Sequence, residues 1–317
     1  MDTILVSGII PPESISALQT HFHVITPIDQ AFSYETVMKH IGSCQGLLAY
    51  GLHVDEPLLA LAENLRIIST FGVGYDHIDV AAAEKRHILV TNTPHAVTDS
   101  TADLAMALIL DVMRRVTAYD KIARQIGNLD ARRAIALGHA LRGKKLGLLG
   151  MGRIGKAVAG RAASFGLDVI YYQRHPLPPA EEEQRHVSYR PLDSLLKEAD
   201  ILSLHVPLNQ GTYHLIGERE LALMKPSACL INTARGAVAD QTAMIAALRQ
   251  GRLAGAGLDV FAEEPELPAG LFDLDQVVIT PHIGTATPED IAQIADEASR
   301  NLIDWLCYQR APNRVTA

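Results

Sequence analysis

Along this chain the apolar residues fall into short β-rich runs separated by stretches of helical period. TILVSG is followed by ESISALQTHF and VITP, GLLAY by DEPLLALAEN, and RIISTFG by DVAAAEKRH and ILVTN. Strand, helix and strand repeated in this way predict parallel pairing with helices as crossovers. The first hundred or so residues therefore read as one α/β unit of flavodoxin size. Next comes TDSTADLAMALILDVMRRV, where Asp99 or Ser100 can cap a helix whose apolar positions run nearly all the way round from Leu104 to Met113. A helix apolar on every side is expected to be buried on every side, here between two domains or two subunits.

Residues 117–142 are weakly patterned and longer than an ordinary loop, and they read as an arm that wraps a partner subunit. A second α/β unit opens at Lys144 with KKLGLLG as strand and GRIGKAVAGRAASF as helix. It continues through DVIYYQ, DSLLKEA, ILSLHV, LALM, ACLINT, QTAMIAALRQG, GAGLDV and VVITPH. The last helical pattern, PEDIAQIADEASRNLIDWLCYQ, carries Pro288 in its first turn with acids close behind. With no strand of its own, it is expected to cross back onto the first domain. The expected boundaries are 1–97 with 286–317 for a discontinuous first domain, and 98–285 for the second.

Composition narrows the function classes. A chain of 317 residues exceeds one core, and 48% hydrophobic with 20% charged residues is ordinary for a soluble protein. No apolar run reaches 18 residues and MDTILVSGIIPPES has no basic region ahead of an apolar one, so a cytoplasmic protein without membrane association is expected. The net charge of −8 is dispersed rather than blocked, which gives nucleic acid no footprint. Cys44, Cys229 and Cys307 lack CxxC spacing and read as buried apolar residues; no cluster suggests a metal.

Candidate chemistry begins at GMGRIG, Gly150 to Gly155. A lone GxGxxG is weak, but this one stands between a strand and a helix, with DVIYY following as the next strand. Gly150 would make the tight turn, Gly152 admit the pyrophosphate, and Gly155 let helix pack on strand, with Arg153 and Ile154 at the helix N-terminus. An NAD site normally ends the next strand with an acid; here stand Gln173 and Arg174. A neutral side chain followed by arginine removes the repulsion of an extra phosphate and supplies a clamp, so NADP(H) is preferred. NAD(H) remains the alternative if Arg174 is merely a solvated arginine; His175 is a lesser phosphate partner.

Three more segments, INTARGAVAD, GAGLDVFAEEP and ITPHIGTAT, place Arg235, Glu264 and His282 just past predicted strands. Each alone reads as an ordinary solvated loop residue. Together on the ligand-binding edge of a parallel sheet, beside a nucleotide site, they point to catalysis.

These segments, with GMGRIG, HVPL (205–208), FGVGYDHID (71–79) and TDSTADLA (98–105), resemble the D-isomer-specific 2-hydroxyacid dehydrogenase family over nearly the whole chain. TDSTADLA and HIGTAT are similar to its glyoxylate and hydroxypyruvate reductase branch, whose members often use NADPH. The resemblance implies two Rossmann-like parallel-sheet domains, one flavodoxin-like and one dinucleotide-binding, with a cleft between them, and a homodimer. It implies that Arg235 holds the substrate carboxylate, His282 exchanges a proton with the carbonyl oxygen, and Glu264 fixes the imidazole. Backbone amides at Val73 and Gly74 would receive the substrate carboxylate. Asp259 would lie near the nicotinamide carboxamide, Thr212 near the pyrophosphate, and Val206 and Pro207 on the adenine side, with Thr233 and Gly284 also contacting cofactor.

The implied reaction is NADPH-preferring reduction of small 2-oxoacids, glyoxylate and hydroxypyruvate first, to D-2-hydroxy acids. NLDARRAIALGHALRG lacks the tryptophan that many relatives carry there. Arg132, Arg133 or His139 reaching a partner's pocket would then select a longer acid of the 2-ketogluconate type. A formate dehydrogenase would have glutamine where Glu264 stands. The reading from another class is a nucleotide-sensing interaction protein on the same fold.

Overall fold

A computed structural model describes residues 1–133 and 136–316. The chain forms two compact units, Met1–Val97 with Thr285–Ala317, and Thr98–Gly284. The first is built on β1 (Thr3–Val6), β2 (His23–Ile25), β3 (Gly46–Ala49), β4 (Ile67–Thr70) and β5 (Leu89–Thr91). These five are parallel in the order β5-β4-β3-β1-β2, and a short terminal strand, Arg314–Val315, pairs antiparallel with β5. That is the flavodoxin-like order. β3, β4 and β5 are buried at every position, which is why they read as unbroken apolar runs. Helix Pro288–Tyr308, capped by the Thr287 side chain, packs on β3 and β4 and buries Ala295, Ala298 and Leu302. Helix Tyr34–His40 escapes the sequence pattern because it is short and buries only Val37.

In the second unit all seven strands are parallel: β6 (Lys145–Leu149), β7 (Asp168–Tyr172), β8 (Val187–Tyr189), β9 (Ile201–Leu204), β10 (Cys229–Asn232), β11 (Gly255–Leu258) and β12 (Val277–Ile279). Their order is β8-β7-β6-β9-β10-β11-β12. This is the dinucleotide-binding order with one strand added, and it reverses direction between β6 and β9. Both units are thus α/β with parallel sheets, as the alternating pattern predicts.

Two expectations need correction, and a third, burial of one helix on every side, is not met by this chain alone. Helix Thr98–Arg114 packs against helix Arg153–Ala163 and strands β10 to β12, yet Asp103, Ala107 and Arg114 remain exposed. Its far side faces away from the sheet, so it is not buried all round within the chain. Residues 117–142 are not a plain arm: Val116–Ile126 is a helix and Leu129–Arg133 a single 3₁₀ turn. Its apolar positions Val116, Tyr119, Ile122 and Ile126 do recur at helical spacing, but the chain itself buries only Ala118 of it. The part of the expected arm at 134–135 lies outside the described residues. Cys44 and Cys229 are buried, but Cys307 is exposed on the last turn of its helix. Among the described residues no helix is long and apolar enough to cross a membrane, and no group of His, Cys, Asp and Glu could hold a metal ion.

Candidate active site

β6 ends at Leu149, at the point where the strand order reverses. Gly150 follows with φ +102°, a conformation open to glycine, and a β-carbon there would run into the carbonyl of His205 just past β9. A β-carbon on Gly155 would strike the Gly150 carbonyl, whereas one on Gly152 would meet nothing. Gly152 is the N-cap of helix Arg153–Ala163, and no side chain caps that helix. Its first amides are thus open to an anion, with Arg153 exposed and Ile154 half-buried beside them. Thr233, just past β10, is buried, and its hydroxyl has no hydrogen-bond partner among the described residues. A glycine-walled, uncapped helix N-terminus and an orphaned hydroxyl on the same sheet edge fit a bound dinucleotide.

Past β7, Gln173 accepts a hydrogen bond from the Met151 amide at 3.3 Å and donates to the His175 carbonyl at 2.7 Å. Arg174 is exposed and, among the described residues, pairs with no carboxylate. Past β9, Val206 is half-buried and Pro207 exposed. The Thr212 hydroxyl donates to the Pro207 carbonyl at 2.6 Å and accepts from the Asn209 amide at 2.9 Å, closing that loop.

The three strands on the other side lead to Arg235, Glu264 and His282. At the end of β10 the buried Asn232 accepts from the Ala234 amide at 3.0 Å and donates to the Arg235 carbonyl at 2.9 Å, which fixes the turn presenting Arg235. The Arg235 Nη1 donates to the Ala234 carbonyl at 2.8 Å. A β-carbon on Gly236 would collide with the Phe261 carbonyl, so this turn lies against the loop after β11.

In that loop Glu264 accepts from the Phe261 amide at 3.0 Å, and its other oxygen lies 2.7 Å from Nδ1 of His282. His282 follows β12 with φ +53°, and its amide donates to the carbonyls of Asp259 and Thr280. Asp259, 1% exposed, accepts from the Thr280 hydroxyl at 2.7 Å and from the amides of Ile283 and Gly284 at 2.8 and 3.0 Å. The Gly284 carbonyl in turn accepts from the Thr101 hydroxyl at 3.4 Å.

Electrostatics follow this geometry. The hydrogen bond that His282 donates to Glu264 raises the His282 pKa above its ordinary 6.5, against burial and the Arg235 charge. Burial alone would push Glu264 up, but the bonds from His282 and Phe261 outweigh it and hold it down. Burial also raises Asp259 above the usual carboxylate value, opposed by its three donors. The outcome is an imidazole whose protonated form is favoured, with Nδ1 engaged by a carboxylate.

Val73 and Gly74 belong to the first unit, on the turn after β4. Asn92 donates to the Val73 carbonyl at 2.8 Å and the Thr70 hydroxyl to the Gly74 carbonyl at 3.4 Å. With both carbonyls engaged, the two amides are the free groups of the turn among the described residues. Sequence reading missed Asn232, Thr280 and Asn92. Only Asn232 left a local signal, an Asx residue two before a turn amide.

The family profile for "D-isomer specific 2-hydroxyacid dehydrogenase, NAD binding domain" matches residues 106–284. A glyoxylate reductase of Thermococcus litoralis is 50% identical over 266 residues, 83% of this chain and 80% of that protein. Among solved structures, a glyoxylate reductase from Paecilomyes thermophila superposes with TM-score 0.90 at 33% identity, covering 99% of this chain and 98% of that one. An NADPH-dependent glyoxylate/hydroxypyruvate reductase from Sinorhizobium meliloti, solved with NADP and malonate, gives 0.87 at 32% identity over 99% and 96%. With a matching profile over more than half its length and relatives of this identity, the chain belongs to the D-isomer specific 2-hydroxyacid dehydrogenase family, as one of its NAD(P)-dependent dehydrogenases.

Proposed function

We propose that this protein reduces small 2-oxoacids, glyoxylate and hydroxypyruvate first, to D-2-hydroxy acids with a preference for NADPH. The observation that carries the reading is the Glu264–His282 pair at 2.7 Å, set on the same sheet edge as Arg235 and the glycine loop. The dinucleotide, when bound, supplies the hydride. Gly150, Gly152, Arg153, Ile154 and Gly155 would hold its phosphates with Thr212 near the pyrophosphate, and Val206 and Pro207 would line the adenine side. Thr233, Asp259 and Gly284 would border the nicotinamide half. Arg235 would bind the substrate carboxylate and polarise the carbonyl, and the amides of Val73 and Gly74 would receive the carboxylate. His282, protonated, would give its Nε2 proton to the carbonyl oxygen as the carbon is reduced, so hydride and proton together complete the alcohol. Half-exposed, the neutral imidazole can then regain a proton from water. Glu264 would keep Nδ1 engaged throughout.

The preference for NADPH rests on Gln173 and on Arg174, which pairs with no carboxylate among the described residues, and the Sinorhizobium meliloti relative, NADPH-dependent by name, supports it. The names of the relatives support glyoxylate and hydroxypyruvate as substrates. Initial rates of glyoxylate and hydroxypyruvate reduction with NADPH and NADH, on wild type and Arg174→Ala, test the reading. NADPH should be preferred, and Arg174→Ala should lower kcat/KM with NADPH by about tenfold, the scale of one charge-assisted contact. Equal rates with both cofactors would overturn the preference, and no turnover with either would return the case to a longer oxoacid or a nucleotide sensor.

A further inference from the structure

Tyr171 lies in β7 at 0% exposure, among the largest fully buried side chains of the protein. A phenol so buried must satisfy its hydroxyl inside the fold. Here it accepts from the Leu177 amide at 2.7 Å and donates to a Glu182 carboxylate oxygen at 2.6 Å. That same oxygen accepts from the Tyr189 amide of β8 at 3.2 Å. The chain leaves the sheet at Tyr172 and is pulled back at Leu177, so residues 173–176 form an arch with Tyr171 as its tie. Gln173 braces the arch from within, through its bonds to Met151 and His175. Beyond it, Glu181 pairs with Lys156 of the glycine-loop helix at 2.7 Å and with Arg185 at 2.9 Å. Both feet of the arch are anchored, while Arg174 and His175 stand exposed on it.

We propose that Tyr171 is a positioning residue for cofactor selectivity: through Leu177 and Glu182 it sets the arch from which Arg174 reaches the extra phosphate of NADPH. An arginine on a fixed arch loses less conformational freedom when it grips a phosphate than one on a loose loop. The gain reaches only a ligand that carries a phosphate there, so NADH is indifferent to it. The inference rests on the reading of Arg174 as a phosphate clamp.

The experiment compares KM and kcat for NADPH and NADH in wild type, Tyr171→Phe, Glu182→Ala, Glu182→Gln and Arg174→Ala, with melting curves to establish folding. Tyr171→Phe and Glu182→Ala should raise KM for NADPH about three- to tenfold, the scale of one or two lost hydrogen bonds, with KM for NADH and both kcat values unchanged. Glu182→Gln, which keeps the acceptor, should stay near wild type. Glu182→Ala cuts nothing from the core and stands in if Tyr171→Phe fails to fold. Equal rises for both cofactors, or a fall in kcat, would show a merely structural role and overturn the proposal. A raised NADPH KM in Arg174→Ala with none in Tyr171→Phe and Glu182→Ala would overturn the positioning role and leave the clamp standing. No change in any of the three would remove the clamp and the proposal with it.

Discussion

His282 occupies left-handed backbone space at φ +53°, which costs a non-glycine residue about 1–2 kcal/mol. The cost is borne because Asp259 collects the Ile283 and Gly284 amides and its carbonyl takes the His282 amide, so the turn has one arrangement. The imidazole is thereby aimed at Glu264, whose hydrogen bond lifts its pKa above 6.5. The sign follows. In the proposed reaction, reduction draws on the protonated ring, so kcat/KM for the oxoacid should hold through the ordinary histidine range and fall as pH rises through the raised pKa. Glu264→Gln removes the carboxylate charge and should move that fall to lower pH. A pH profile of oxoacid reduction on both proteins checks it, and coincident profiles would remove His282 as the proton source. Arg235, Glu264 and His282 were legible in the sequence because each follows a recognisable strand. Asn92 and Asn301, which donates to the Asn92 carbonyl across 209 positions, were not, since nothing local encodes so distant a bond.

Among elements, the strand-to-turn joints of the second unit carry the site, and they are packed without slack. Gly236 shows this best. Its missing β-carbon leaves room for the backbone of Phe261, so the Arg235 turn rests directly on the loop that carries Glu264. Backbone cannot yield as a side-chain end does, so Gly236→Ala must shift one loop against the other. Overpacking of this kind costs about 1–3 kcal/mol, to be read by chemical denaturation. The variant should also lose oxoacid turnover more than NADPH affinity, because the glycine loop stands on β6, two strands away. Equal loss of both would mean that the whole sheet edge moves as one body. Strands here were readable because continuous apolar runs mark positions covered on both faces. Helix Val116–Ile126 was passed over although Val116, Tyr119, Ile122 and Ile126 recur at helical spacing, because the weakly patterned residues that follow blur its end and the chain itself buries only Ala118 of it.

For the whole molecule, alternation of strand and helix revealed two parallel-sheet units, but not their strand orders, which depend on crossovers that periodicity does not encode. The family resemblance named the two fold types, flavodoxin-like and dinucleotide-binding, and the structure gives the orders. The surface holds the remaining question. Val116, Leu129 and Leu137 are 56%, 85% and 80% exposed within a short stretch of the second unit, and helix Thr98–Arg114 keeps one side open nearby in sequence. If another chain pairs with this one, exposed apolar side chains this near in sequence are where it is expected to sit. A second copy is the occupant implied by the family resemblance, and a two-fold interface would bring the same stretch from each chain together. Sedimentation at micromolar concentration should therefore give twice the mass of one chain. Leu129→Asp combined with Leu137→Asp, which places two charges on the exposed stretch and none in a core, should give the mass of one chain with an unchanged circular dichroism spectrum. A wild-type protein that sediments as a single chain would remove the dimer, and a double variant that stays paired would move the interface off this stretch.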